Sequence, residues 1–149
     1  MASKVSKATM SVVYHEEITL NSTKYGSRTS FEVGDINEIS QRIVSIPTSV
    51  VTLLNLSSSV GPGQYVTSNM KYVRLTNLDT ENWVRLTFVS ASANQYDVRL
   101  DANRSYVFTN ASISGSNAAA TFDSFVDFTA LKAIAETDAV DVEVFIAST

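Results

Sequence analysis

The single histidine of this 149-residue chain, His15, is followed directly by Glu16 and Glu17 in the stretch SVVYHEEITL. An imidazole beside carboxylates is the base half of a nucleophilic dyad, in which it takes the proton of a serine hydroxyl. No serine stands in the Gly-x-Ser-x-Gly elbow that presents such a nucleophile at a strand-to-helix turn, so His15 reads as a structural histidine within a strand. Asp79 with Glu81, and Asp141 with Glu143, are carboxylates two positions apart. That spacing puts both on one side of an extended chain, where a pair can serve as acid and base in glycoside hydrolysis. Both pairs lie in hairpin or strand surroundings that read as solvated edges. Asp79, Glu81 and Asn82 are hard oxygen donors of the kind calcium takes, but they lack the twelve-residue calcium-loop pattern. Gly61-Pro62-Gly63 has neither the lysine nor the following helix that phosphate capture needs. The reading from these residues is no catalytic residue, no metal site and no cofactor.

Composition narrows the class. A length of 149 residues suits one domain with its own core. The absence of cysteine excludes disulfides and thiolate metal sites. A formal net charge of −4 argues against a nucleic-acid partner, since such proteins are usually basic. The start, MASKVSKATMSVVYHEE, does not have the pattern of a signal peptide, and no stretch approaches the ~20 apolar residues of a membrane-spanning helix.

The elements that must position these residues read as strands. Valine, isoleucine, threonine and aromatics gather in short runs, and no long window has a 3.6-residue period. Residues 1–10, with Lys4 and Lys7, read as an extended N-terminal arm. Residues 11–20 read as a strand, 21–30 as a polar turn region around Gly26, and 31–40 have no clear assignment. Residues 41–49 read as a strand ended by Pro47, and 50–58 as a strongly apolar strand. Residues 60–69 form the clearest loop. The spacing predicts about eight to ten short strands in one domain over 11–149, an all-β antiparallel β-sandwich or jelly roll. Residues 114–120 read as a connection and 121–128 as an irregular packed segment. Residues 130–136 and 140–146 read as a closing hairpin, with a short helix over 130–136 as the alternative.

The triplet Val-Arg-Leu occurs at 73–75, 84–86 and 98–100. Alternation sends valine and leucine to one face and arginine to the other. The predicted inner set is Val73, Leu75, Val84, Leu86, Phe88, Val98, Leu100, Tyr106 and Phe108. If residues 72–108 form a meander, a hairpin at Leu78–Glu81 sets Arg74 opposite Arg85, and the next turn sets Arg99 opposite Arg85. The outer face would then gather Tyr72, Arg74, Trp83, Arg85 and Arg99, the residue types enriched at interface hot spots. Like charges opposite one another need partners, and Asp79, Glu81, Asp97 and Asp101 are the local candidates. The competing expectation is a solvent-facing ladder with Trp83 stacked under an arginine.

GPGQYVTSNMKYVRLTNLDTENWVRLTF, then YDVRLDANRSYVF, then LKAIAETDAVDVEVFIAST, resembles small structural proteins of tailed bacteriophages, notably marine ones, over roughly residues 60–149. Where that pattern has a turn glycine, this chain reads Asp101-Ala102-Asn103-Arg104. Asn103 accepts a left-handed conformation, so the turn is expected to survive. The resemblance implies a non-enzymatic β-sandwich of the virion, made in the host cytoplasm, and foremost a capsid decoration or cement protein. A tail, neck or head-fibre component is the other virion role. Implied partners are the major capsid protein or tail and neck proteins, and further copies of the chain in a homo-oligomer, with no nucleic acid and no membrane. Contacts are expected from Lys4, Lys7, Tyr72, Arg74, Trp83, Arg85 and Arg99. From another class, a carbohydrate-binding module would use exposed Trp83 and Tyr72 to stack sugars.

Overall fold

A computed structural model describes residues 5–90, 95–108 and 128–149 of the chain. The expected connection at 114–120, residues 121–127 of the packed segment and Lys4 lie outside the described residues. The chain is all-β. Strands β1 (Ala8–Leu20) and β2 (Thr23–Ile36) pair with each other as a long antiparallel ribbon. The rest form a sandwich: β3 (Glu38–Ile46), β4 (Val51–Ser57), β5 (Gln64–Val66), β6 (Met70–Asn77), β7 (Val84–Ser90), β8 (Gln95–Leu100), β9 (Ser105–Phe108), β10 (Phe128–Ala135) and β11 (Val140–Ser148).

The front sheet has the order β3-β11-β6-β9 and the back sheet β5-β4-β10-β7-β8. Apart from β5, which adds in parallel to β4, eight strands pair as nested couples: β3 with β11, β4 with β10, β6 with β9 and β7 with β8. That is a long two-stranded ribbon rolled over on itself, the connectivity of a jelly roll.

Alternation explains the core. Val73, Leu75, Val84, Leu86, Phe88, Leu100, Phe108, Leu131, Ala133, Val140, Val142, Val144 and Ile146 are all buried between the sheets, and Val98 and Tyr106 pack against them. Each large apolar side chain removed from water contributes roughly 1.5–3 kcal/mol. The predicted inner set is therefore the observed one. Asn103 takes φ +57°, and Arg104 N donates to Asp101 O at 3.2 Å, so the turn lacking glycine closes as expected.

Four expectations need correction. The meander over 72–108 does not form: β6 lies in the front sheet and β7 in the back, so Arg74 is not opposite Arg85. Asn77 decides this locally. Its buried amide donates to Asn82 O at 2.9 Å and Leu100 O at 3.1 Å, while its Oδ1 accepts from Asp79 N at 2.9 Å. These bonds steer residues 78–83 across the end of the sandwich. The closing hairpin fails in the same way: 130–135 is strand rather than helix, but β10 pairs with β4 and β7, and β11 with β3 and β6. A short loop serves a crossover between sheets as readily as a hairpin, and only non-local pairing chooses between them. The third correction is the polar region 21–30, which is mostly strand. Its turn is confined to Asn21 and Ser22, with φ +49° and +65°, the positive values that a two-residue hairpin loop of this twist demands. The fourth concerns the arm, since residues 8–10 belong to β1.

Gly26 is required where it stands. A Cβ there would lie 2.0 Å from Glu16 O on the facing strand.

Candidate interaction surface

The base of the ribbon is built into the molecule. Met10, Val12, Phe31, Val33 and Ile36 pack over Tyr72, Val107, Phe145 and Ala147 on the outer side of the front sheet. Tyr72 and Phe145 meet edge to face at 6.0 Å, a geometry that suits the ring quadrupoles. Tyr72 is thus buried, not exposed, because alternation does not reveal that a second layer covers the outer face. Burial pushes the Tyr72 hydroxyl above its ordinary pKa. Nearby Tyr14 adds to the shift, and the Arg74 charge opposes it.

Below this apolar patch a polar belt crosses all four front strands. Gln41 on β3 donates to Glu143 on β11 at 3.4 Å, and Arg74 on β6 pairs with Glu143. Arg74 also donates to Thr76 at 2.6 Å, and Thr76 shares a hydrogen bond of 2.8 Å with Ser105 on β9. Phe145 lies under the Arg74 guanidinium at 5.8 Å. Arg74 therefore finds its partner 69 residues away, not among the neighbouring acids expected for it. No sequence spacing signals that pairing.

The back sheet carries the other arginines. Arg85 faces Arg99 directly across β7 and β8, as the alternation predicts. Arg99 is held away from that like charge: it donates to Asp101 at 2.6 Å and sits over the Trp83 ring at 4.9 Å. Arg85 is exposed and has no ion-pair partner among the described residues. Tyr72 and Arg74 thus lie on one sheet, and Arg85 and Arg99 on the other, with Trp83 at the entry to β7. The five residues do not form one face. Lys7 pairs with Asp35 of β2 at 3.1 Å, with both side chains largely in water.

The residues with chemical potential are scattered. His15 stands opposite Arg28 on the exposed ribbon. Asp79 accepts backbone N–H bonds from Glu81 and Asn82, both at 2.7 Å, and these hold its carboxyl below the usual range. Glu143 is neutralised by Arg74. Among the described residues no three side chains of ligand type are gathered to hold a metal.

What the sequence reading missed is the free half of the ribbon. Residues facing each other across β1 and β2 share a face, so Tyr14, Glu16, Ile18 and Leu20 lie with Thr29, Ser27, Tyr25 and Thr23. Tyr14, Ile18, Leu20 and Tyr25 are all exposed. The signal was present: even-numbered positions 10–20 and odd-numbered positions 23–33 both alternate around Asn21-Ser22. Comparison of the chain with family models, curated proteins and solved structures finds no match.

Proposed function

We propose that this chain is a non-enzymatic structural subunit of a tailed-phage virion that works by contact, foremost as a capsid decoration or cement protein. The observation that carries the reading is the ribbon. An isolated two-stranded hairpin is marginal in water, yet here its free half extends beyond the sandwich with Tyr14, Ile18, Leu20 and Tyr25 uncovered. Such an element is best accounted for by an assembly that covers it. The resemblance of residues 60–149 to phage structural proteins supplies the setting. Fold alone does not, because jelly rolls serve viral shells and lectins alike.

The sugar-stacking alternative has less to build on, since Tyr72 is buried and Arg99 lies over one face of the half-buried Trp83 ring. The exposed Arg85 remains as a second contact point on the back sheet.

The test is to add purified protein to preformed shells and to isolated tails. A decoration protein co-sediments with shells and not with tails, and the reverse assigns a tail or neck role. No association with either, and absence of the chain from purified particles, would overturn the proposal. Replacing Arg85 and Trp83 together tests the back-sheet contact, which is discarded if a folded double variant assembles like the parent.

A further inference from the structure

We infer that the free half of the ribbon is an arm that seats on the outer surface of β3 in a second copy of this chain. This deepens the structural-subunit reading and rests on it. The molecule already makes this kind of contact within itself, because the base of the same ribbon face covers the outer side of the front sheet. That ribbon face continues past the sandwich with Tyr14, Ile18, Leu20 and Tyr25, 43%, 60%, 57% and 56% exposed. The sheet surface also continues, onto edge strand β3, where Ile39 and Ile43 are 63% and 62% exposed. Each chain thus has an unfilled donor and an unfilled acceptor of one contact type. Within one chain the two are not joined: the ribbon packs on the Tyr72 patch at its base and is exposed beyond it.

The two surfaces match in spacing and polarity. Tyr14 and Ile18 are four residues apart, as are Ile39 and Ile43, so each pair spans about 13 Å along its strand. Glu16 lies midway in one pair and Gln41 in the other. Laid along β3 in either direction, two apolar groups meet the isoleucines, while Glu16, which accepts from Ser27, comes beside Gln41, which donates to Glu143. The outward row of β3, Ile39, Gln41, Ile43 and Ser45, itself carries no charge, and the neighbouring Glu143, opposite Ile43, is already paired with Arg74. The charged ribbon face, with His15, Glu17, Lys24 and Arg28, stays toward water. Mutual exchange of arms generates a closed, symmetric assembly.

The test uses the purified full chain and light scattering coupled to size-exclusion chromatography. The parent is expected to run as an oligomer. Ile18→Lys with Leu20→Lys, and separately Ile39→Lys with Ile43→Lys, are each expected to lower the mass to that of one chain, with the β-type circular dichroism unchanged. All four positions are exposed, so folding is not at stake, and serine in place of lysine is the milder control. Mixing the two double variants leaves one intact arm and one intact β3, so a tagged copy of either should retain the other. A monomeric parent, or a β3 variant as oligomeric as the parent, overturns the inference. Self-association read this way is independent of whether the chain is found in particles, so the two proposals fail separately.

Discussion

Arg99 carries its guanidinium carbon 4.9 Å from the centre of the Trp83 ring while its Nε donates to Asp101 at 2.6 Å. Three sequence-local groups satisfy one another there, and the repulsion expected between Arg99 and the facing Arg85 is relieved on one side only. A cation over tryptophan at an exposed site contributes ~0.5–1 kcal/mol. Arg99→Met should therefore lower stability by no more than about 1 kcal/mol in a urea titration. It should also shift the emission of Trp83, the only tryptophan to report. An unchanged spectrum would show that the stack does not persist in solution.

Asn77 is fully buried, and its side chain makes three hydrogen bonds that hold the β6-to-β7 crossover. Asn77→Leu keeps the volume but strands two carbonyls and one N–H. With about 1–3 kcal/mol for each buried group left unpaired, partly relieved by water at the sandwich end, a loss of about 3 kcal/mol is expected. Asn77→Asp should be worse near neutral pH, because a carboxylate would face two carbonyl oxygens. Chemical denaturation of both variants checks the order.

The Asp79 carboxyl is held below its ordinary pKa, first by the Asn82 N–H and then by that of Glu81. A depressed folded-state value means that this stabilisation is present above the unfolded carboxylate pKa and is lost as pH falls through the folded value. Asp79→Asn should accordingly be less stable than the parent near neutral pH. The gap should close in acid. A gap that stays constant down to strongly acidic pH would remove the carboxylate from the explanation.

Tyr72 shows the opposite case. Burial raises its hydroxyl pKa, so folding favours the protonated form. Its contribution is complete below the unfolded tyrosine value near 10 and is lost as pH rises from there through the higher folded value. Since Tyr72 lies under the ribbon base, alkaline pH should loosen the ribbon before the sandwich, seen as faster proteolysis within residues 8–36. Tyr72→Phe should move that onset to higher pH.

Much of the architecture was legible from side-chain alternation. Val84, Leu86, Val142 and Val144 point inward because a period of two leaves one face apolar, and burying that face is the largest favourable term. Arg85 opposite Arg99 followed from the same period and a hairpin turn. The Glu143 partner of Arg74 was not legible, nor was the burial of Tyr72. Both depend on strands that meet across long sequence separations, and no local pattern encodes which strand becomes a neighbour.

By itself the sequence determined that the chain is all-β, which residues face the core, and that Asn103 can close a turn without glycine. These are local properties of alternation, branching and backbone freedom. Only the tertiary structure decided that β6 and β7 belong to different sheets, that the closing strands do not pair, and that the ribbon covers Tyr72 while leaving Ile18 and Leu20 in water. The reason is that a loop of four to six residues fits a hairpin and a sheet crossover equally well. The choice falls to whichever distant strand completes the core, and to a buried amide such as Asn77 that finds its carbonyls only when the chain crosses over.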